Sequence, residues 1–367
     1  MPTHHSSSQT HRCLSGLEDD RISKEGFVNM NYSSTINLTL LPKELRTPLV
    51  IDLFAGCGGL ALGFEAQGFE TLGYEMNSIA VSTYRKNLKG ECVEGLLDLS
   101  TRYPSAKVII GGPPCQPFSV IGKQKGREDE RDGFPIFIEA IRQVNPEIWM
   151  FENVRGVFYR NKSYLKSIID TLRGCNYIVE YRLLNAVDYG VPQNRERVFV
   201  VGHRGNFRFP ESVERKVTAG DAIGDLAATA PLGSKFLTES MERYIKAYEQ
   251  KSCCINPRDL ALDRPARTLT CRNLAGSTSD MQRVKLPDGR RRRLLVREAA
   301  RLQSFPDWFV FEGTESSVYN QIGNAVPPLL SYHLAGCIRS YLESEIRLSP
   351  SEISEIKSPL SIQPSLI

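Results

Sequence analysis

The chain has 367 residues, of which 41% are hydrophobic and 24% charged, and its formal net charge is +4. That length accommodates one large α/β domain and a smaller one, with a core that needs no metal or disulfide. Nine scattered cysteines, the lack of an apolar run of membrane-spanning length and a polar N-terminus argue against a disulfide framework, a membrane protein and a signal peptide. We therefore expect a cytoplasmic protein, for which nucleic acid is a permitted partner.

The first predicted elements follow an N-terminal extension. Residues 1–46 are rich in Ser, Thr, His and Asn without sustained periodicity, which predicts a flexible segment. Order is expected from Thr47 onward, because the apolar run 49–54 predicts a strand. This run ends in the glycine-rich turn 55–59, and a helical pattern follows it.

The same pattern then repeats through short strands and helices. Alternation of this kind is typical of a doubly wound, mostly parallel α/β sheet. Further strands are predicted at 71–75, 108–111, 147–151, 177–185 and 197–202, helices at 79–88 and 136–144 and ending near 172, and a hairpin turn at 287–289.

After the last of these strands the α/β rhythm fails. Residues 203–304 are richer in isolated Pro, Gly, Arg and Thr, and we expect a smaller, mainly β and irregular domain there. Residues 305–320 are expected to form a hinge, and the helical pattern within 321–345 is expected to pack back on the first domain, 47–202. The Ser- and Pro-rich tail, 346–367, is expected to be mobile.

The first motif is Asp52-Leu53-Phe54-Ala55-Gly56-Cys57-Gly58-Gly59, with Glu75 at the end of the next predicted strand. Glycines let the backbone turn tightly from strand to helix, and a carboxylate in that place can accept from the two hydroxyls of a ribose. An ordinary strand–helix turn is the alternative. The spacing departs from G-x-G-x-x-G, which favours a nucleoside without phosphates, such as S-adenosylmethionine, over a dinucleotide.

The second motif is Gly111-Gly112-Pro113-Pro114-Cys115-Gln116-Pro117-Phe118-Ser119, directly after a buried strand. Cys115 would lie at the carboxyl end of that strand, where open α/β sheets bind ligands. A lone cysteine is more often a small core residue. The flanking prolines and glycines indicate a loop instead, with a restrained backbone that presents the thiol.

Two further motifs place polar side chains at the same edge of the sheet. Glu152 and Asn153 follow the apolar run 148–151, and Arg195 and Arg197 alternate at the start of a strand and so face one side. A helix cap by Asn153 with an exposed Glu152 is the structural alternative for the first motif. An ion pair is the alternative for the arginines.

These motifs, in this order, resemble those of the cytosine-C5 DNA methyltransferase family of bacterial restriction-modification systems. The likeness continues in 297–307 and 321–328 and spans roughly 47–342. It implies the fold of S-adenosylmethionine-dependent methyltransferases. Residues 47–202 with 321–345 would then form the catalytic and cofactor-binding domain, and 203–304 the target-recognition domain.

The resemblance also implies the reaction. A cytosine is flipped out of a specific duplex sequence, and Cys115 adds to C6 of its ring. Glu152 hydrogen-bonds N3 and the exocyclic amine, while Arg197, with Arg195, binds O2. C5 then takes the methyl group of S-adenosylmethionine, loses its proton and releases Cys115.

Binding residues are carried over by position in the same way. Residues 120–135 resemble a mobile loop that closes over the flipped base, and the arginines at 290–293 would contact mainly phosphates. The cofactor residues are Phe54 and Met76 against adenine, Glu75 on the ribose, Asp98 on the adenine amine, Pro113 near the methionine end, and Ala55, Gly56, Gly58, Gly59, Asn324 and Val326. The DNA-binding residues are Ser119, Lys123, Gln124, Thr268, Thr270, Arg272, Arg290 and Arg292.

Two other functions fit parts of this pattern. A tRNA cytosine-C5 methyltransferase shares the scaffold, but its relatives show a Cys-Phe-Thr signature that this sequence lacks. A non-catalytic DNA-binding homologue is disfavoured because Cys115, Glu152 and Arg197 are all present. We expect a metal-free monomer that acts on double-stranded DNA at the nucleoid and protects it in a restriction-modification system, with any companion endonuclease on another chain.

Overall fold

The structure is a computed structural model. It describes residues 30–44, 46–114, 132–157, 162–251, 253, 258–276, 280–344 and 346–355.

A seven-stranded sheet forms the centre of the molecule. Its strands are β1 (Arg46–Leu53), β2 (Phe69–Glu75), β3 (Glu91–Glu94), β4 (Val108–Gly111), β5 (Ile148–Val154), β6 (Ile178–Asn185) and β8 (Glu196–His203). They lie in the order β3-β2-β1-β4-β5-β8-β6, and β8 alone runs against the common direction of the other six strands. The predicted doubly wound, mostly parallel sheet is therefore confirmed. Strand β3 was not predicted, and β5 extends past Glu152, which lies inside the strand.

Helices cover both faces of this sheet. They are α1 (Tyr32–Thr39), α2 (Gly59–Ala66), α3 (Ser78–Asn87), α4 (Phe134–Val144), α5 (Lys162–Arg173), α6 (Ala219–Ala227), α7 (Glu239–Lys251), α8 (Cys271–Ala275), α9 (Val296–Leu302), α10 (Glu315–Asn324), α11 (Pro328–Glu343) and α12 (Pro350–Glu355), with a 3₁₀ helix at Ala186–Tyr189. In the part of the chain that the structure describes, no helix is long and apolar enough to cross a membrane.

Side chains alternate between two hydrophobic clusters along each central strand. Met150 of β5 packs in the cluster that contains Leu334 of α11, whereas Trp149 and Phe151 pack in the cluster that contains Phe137 of α4. This is the period-two pattern of a strand that is buried on both faces. The strands are thus held by apolar packing on either side, and their carboxyl ends form a rigid edge.

Helices α2 and α11 approach each other closely at Gly63. A Cβ placed on Gly63 would lie 2.4 Å from the backbone nitrogen of Tyr332 and 2.5 Å from Oγ of Ser331. Only glycine fits this contact. The close approach holds α11 against α2, the helix that follows the glycine turn.

Residues 203–304 are more helical than expected. Helices α6 and α7 have 9 and 13 residues, whereas the strands β9 (Ala266–Arg267), β10 (Arg283–Lys285) and β11 (Arg291–Arg293) have two or three each. Strand β9 pairs with β7 (Gln193–Asn194), and β10 with β11 forms the predicted hairpin, with Gly289 at φ +86°. Ile223 of this region shares a hydrophobic cluster with Tyr84, so the boundary between the two domains stays a prediction.

Part of the N-terminal extension is ordered, contrary to expectation. Asn31 caps α1 by accepting a hydrogen bond from the Ser34 amide, and Ile36 and Leu40 are buried in the core. The Trp308 indole donates to the carbonyl of Asn37 at 3.0 Å. The expectation of a flexible segment is therefore wrong for α1, and the predicted mobile tail likewise contains α12.

Candidate active site

A cavity of about 1660 Å³ lies at the carboxyl ends of the parallel strands. Its wall contains Phe54–Gly56 after β1, Glu75 at the end of β2, Gly112–Pro114 after β4 and Glu152 at the end of β5. Helix α10 closes the other side with Asn320, Gln321 and Asn324. The edge of the sheet where the sequence predicted chemistry therefore carries one large cavity.

The glycine turn forms part of the cavity wall. Phe54 has φ +60° and Gly56 φ +57°, so the chain reverses sharply after β1. Gly58 does not line the cavity. Its φ is +86°, and a Cβ there would lie 2.8 Å from the Tyr84 ring, so this glycine serves packing against α3. The other cofactor residues predicted in the motif, Ala55, Gly56 and Gly59 among them, line the cavity.

Glu75 is fixed at the cavity wall by two backbone amides. Gly56 N donates to one carboxylate oxygen at 2.9 Å, and Asn77 N donates to the other at 2.8 Å. A carboxylate offers about four acceptor sites, so two remain for a ligand. Met76, beside it, is 67% exposed and presents apolar surface to the cavity.

Asp52 is a cavity residue that sequence reasoning did not single out as a site. Its side chain is buried, and neither carboxylate oxygen has a hydrogen-bond partner among the described residues. Burial, and then the nearby charge of Glu75, raises the pKa of Asp52 to about 8. A carboxylate inside the otherwise apolar strand β1 was the signal that could have revealed it.

Asp98 does not belong to the cavity. In this segment of the chain, residues 95–97 line the cavity and Asp98 does not. The exposed Asp98 carboxylate accepts from the amide and hydroxyl of Ser100 at 2.8 and 2.7 Å, and these hydrogen bonds lower its pKa. Its side chain closes a local turn, and the expected contact with adenine stays a prediction.

The segment that leads to Cys115 is held in place from two sides. The Asn153 side-chain amide donates to the carbonyl of Pro113 at 3.1 Å, and Gly133 N donates to the carbonyl of Pro114 at 3.0 Å. Asn153 is thus a strand residue that holds Pro113, and not the helix cap that was the structural alternative. Cys115, Ser119, Lys123 and Gln124, with most of the loop predicted at 120–135, lie outside the described residues.

Glu152 and Arg197 form an ion pair at this edge. Arg197 Nε lies 2.8 Å from Glu152 Oε1, and the side chains are only 12% and 13% exposed. Burial lowers the pKa of Arg197, and the charge of Glu152 opposes that shift. Glu152 lines the cavity. Arg197 contacts Glu152 but does not itself belong to the cavity wall.

Arg195 is directed away from the cavity. It is buried, and its terminal nitrogens donate to the carbonyls of Leu269, Gly323 and Ala325 at 2.8, 3.0 and 3.0 Å. Asn324, Ala325 and Val326 line the cavity on the side opposite the strand ends. These hydrogen bonds therefore connect the residue that precedes β8 to that wall of the cavity. The contacts favour positioning over direct contact with a base.

The C-5 cytosine-specific DNA methylase family matches residues 49–340. The Type II methyltransferase M.AplI of Arthrospira platensis is 56% identical over 329 residues, which cover 88% of this chain and 94% of that protein. This chain belongs to the C-5 cytosine-specific DNA methylase family. The Type II methyltransferase M.FnuDI of Fusobacterium nucleatum is 35% identical over 82% of this chain and 96% of its own length.

Solved structures agree with the methylase fold. A putative DNA modification methyltransferase encoded within an Escherichia coli prophage superposes with a TM-score of 0.61 at 22% identity, over 81% of this chain and all of that one. A DNMT2 variant of Spodoptera frugiperda gives 0.63 at 19% identity, over 80% of this chain and all of its own. The enzyme is a DNA (cytosine-5)-methyltransferase, and its family implies S-adenosylmethionine as donor and double-stranded DNA as substrate.

The predicted DNA-binding residues of the methylase differ in exposure. Thr268 donates to the carbonyl of Asn194, and Thr270 caps α8 by accepting from the Asn273 amide, so both hydroxyls have local partners. Arg272 and Arg290 are exposed; Arg290 lies 2.7 Å from Asp288 and 4.5 Å from the centre of the Phe236 ring.

Arg292 is a correction to this set. Its side chain is 0% exposed and forms two hydrogen bonds with Glu298, which is buried to the same extent, at 2.7 and 2.8 Å. Its Nε also donates to the carbonyl of Thr229. Because all of these donors point into the protein, Arg292 stabilises the fold and cannot reach DNA.

Proposed function

We propose that the methylase flips a cytosine into this cavity, attacks C6 with Cys115 and methylates C5. The observation that carries the proposal is the Glu152 carboxylate, which Arg197 holds in an ion pair and which lines the same cavity as Pro114, the neighbour of Cys115. Methylation of a cytosine ring requires a nucleophile at C6 and a group that offsets the negative charge on the ring. Adjacent strand ends supply Cys115 for the first role and Glu152, held by Arg197, for the second.

The chemistry explains why these groups are needed. C5 of cytosine is a poor nucleophile, and it is inaccessible inside a duplex. Addition of the Cys115 thiolate to C6 makes C5 an enamine carbon, while Glu152, in its acid form, donates its proton to N3 and so offsets the negative charge on the ring. After C5 gains the methyl group, a base removes the C5 proton, the bond between C6 and Cys115 breaks, and the aromatic ring is restored.

Arg197 and Asn153 position these groups. Arg197 holds one oxygen of Glu152, which leaves the other oxygen to face the base. The family resemblance implies that Arg197 also donates to O2 of the cytosine. Asn153 restrains Pro113 and thereby the backbone that carries Cys115.

The cavity residues fit S-adenosylmethionine. Glu75 retains acceptor sites for the ribose hydroxyls, and Met76 and Phe54 offer apolar surface to adenine. When bound, the cofactor supplies an electrophilic methyl group. A single small ligand usually occupies about 300–1,000 Å³, so a cavity of about 1660 Å³ has room for the cofactor and a nucleotide together.

We also propose that residues 203–304 read the DNA sequence and that methylation protects DNA from a companion restriction endonuclease. The type II methyltransferases that this chain resembles support this role. Bisulfite sequencing of DNA from cells that express the protein tests it directly. Cytosines methylated in one fixed sequence context are expected; methylation without context would contradict it, and methylation of transfer RNA alone would favour the RNA enzyme.

The nucleophile is tested with Cys115→Ser, and Cys175→Ser is the matched control because Cys175 does not line the cavity. We expect the first variant to transfer no tritiated methyl group from S-adenosylmethionine while its affinity for DNA persists. The control variant should keep full turnover. Retained turnover in Cys115→Ser would refute the assignment.

A further inference from the structure

Three arginines surround a single aspartate beside the cavity. Arg258 Nε, Arg267 Nη1 and Arg272 Nε lie 3.7, 3.6 and 3.9 Å from the carboxylate of Asp280. We call Arg258, Arg267 and Arg272 the arginine cluster. The side chains of its members are 21%, 36% and 62% exposed.

The charges of this cluster are unbalanced, unlike those of nearby arginines. Arg283 and Arg291 pair with Asp259, Glu242 and Glu249, so two cations meet three carboxylates there. In the arginine cluster, three cations meet one carboxylate among the described residues. The formal excess is two positive charges, which repel one another at short range.

Local electrostatics show the cost of this arrangement. Burial, followed by the charge of Arg258, lowers the pKa of Arg267. Arg258 Nε is buried and has no hydrogen-bond partner among the described residues. Within the part of the chain that the structure describes, this donor is desolvated without an acceptor, which costs free energy unless an anion supplies one.

The cluster lies at the rim of the proposed active site. Cys271, the neighbour of Arg272, has its Sγ 3.1 Å from Oδ1 of Asn324, and Asn324 lines the cavity. Thr268, the neighbour of Arg267, donates to the carbonyl of Asn194 at 2.6 Å, close in sequence to Arg195 and Arg197. An anion bound by the cluster would therefore lie next to a base held in the cavity.

We propose that Arg258, Arg267 and Arg272 bind backbone phosphates of the DNA beside the target cytosine. The position assigned to the phosphates rests on the proposed function. Guanidinium groups match phosphate oxygens in geometry and charge. Asp280 holds the three side chains of the arginine cluster together. Among the described residues of this site, its carboxylate is the one group that repels a phosphate.

The test is the salt dependence of DNA binding, measured by fluorescence anisotropy with a labelled 30-base-pair duplex of arbitrary sequence. The protein carries Cys115→Ser, so that binding is separate from turnover and a failure of either proposal is distinguishable. The variants are Arg258→Gln, Arg267→Gln, Arg272→Gln and Asp280→Asn. Arg264→Gln is the control because Arg264 is 68% exposed and pairs with Asp263, outside the cluster.

Each arginine variant should weaken binding and reduce the slope of log affinity against log salt by about one. Asp280→Asn should act in the opposite direction and tighten binding, since it removes the carboxylate. A purely structural role predicts weaker binding from all four variants, and that result would overturn the proposal. So would an unchanged slope or an equal effect of Arg264→Gln.

Discussion

Arg197 lies diagonally across the β5–β8 pair from Glu152. In the antiparallel register Arg197 opposes Val154, while Glu152 opposes Phe199, two residues further along β8. Residues two apart in a strand share a face, so Glu152 and Arg197 lie on one side of the sheet, within reach of each other for a long side chain. The ion pair therefore follows from the strand register, which fixes the carboxyl group at the cavity wall.

Replacement of Glu152 by glutamine keeps the shape of the side chain but removes its charge and its proton. General acid–base catalysis contributes roughly 10²- to 10⁴-fold, so we expect kcat to fall by that factor in single-turnover assays with tritiated cofactor. The dissociation constant for DNA should stay unchanged. Glu196→Gln is the control, because Glu196 is 39% exposed on the neighbouring strand. A kcat for Glu152→Gln within tenfold of the wild type would contradict the role of the carboxyl group.

Arg195 and Arg197 should differ when each is changed to methionine. Arg195→Met leaves the carbonyls of Leu269, Gly323 and Ala325 without this donor, and each such loss costs about 1–3 kcal/mol. We expect a lower free energy of unfolding in urea and a raised KM for S-adenosylmethionine, with a smaller effect on kcat. Arg197→Met should reduce mainly kcat, and Arg195→Lys should recover part of the stability. A stable Arg195→Met with kcat abolished would show direct catalysis instead.

The sequence predicted the sheet and most of the cavity because both depend on short-range patterns. Apolar runs of strand length predicted the buried strands, and the geometry of parallel sheets brings their carboxyl ends to one edge. Phe54, Glu75, Pro113 and Glu152 follow or close such runs, so their convergence could be predicted from position alone. The exact set of cavity residues could not be predicted in this way. Asp98 and Gly58 adjoin cavity residues in the sequence, and only the local backbone geometry places them outside the cavity wall.

Burial of polar residues was the main feature that the sequence did not reveal. A run of four arginines reads as a solvated surface, yet Arg292 is buried because β11 alternates and Glu298 follows on α9. The predicted hairpin implied that alternation and was the available signal. Helix α1 was missed for a related reason, since Ser, Thr and Asn favour helices weakly and its order comes from contacts with Trp308 and the core.

Asp52 should make stability depend on pH. Its pKa is about 8 in the folded protein against an ordinary value of 3.8. The folded state therefore binds this proton more tightly than the unfolded state, and the resulting contribution to stability is complete below pH 3.8. That advantage is lost as pH rises towards 8, by up to about 1.4 kcal/mol per unit. We measure the free energy of unfolding in urea between pH 5 and 9. The value for Asp52→Asn should rise relative to that of the wild type as the pH rises to 8, and the difference should then stay constant. The exposed Asp98→Asn should show no such trend, and a difference for Asp52→Asn that is independent of pH would disprove the assignment.

Arg292 and Arg290 give the clearest contrast between a structural and an exposed arginine in one strand-and-turn segment. Arg292→Gln leaves the buried Glu298 carboxylate without its ion-pair partner, and removal of one member of such a pair costs about 3–5 kcal/mol. Arg290→Gln removes an exposed side chain whose one ion-pair partner among the described residues is Asp288 and which stacks on Phe236, so its cost should stay below about 1 kcal/mol. Urea unfolding should rank the variants in that order, while anisotropy on the folded fraction should show normal DNA affinity for Arg292→Gln. A fully stable Arg292→Gln with weakened DNA binding would reverse the conclusion and return Arg292 to the DNA interface.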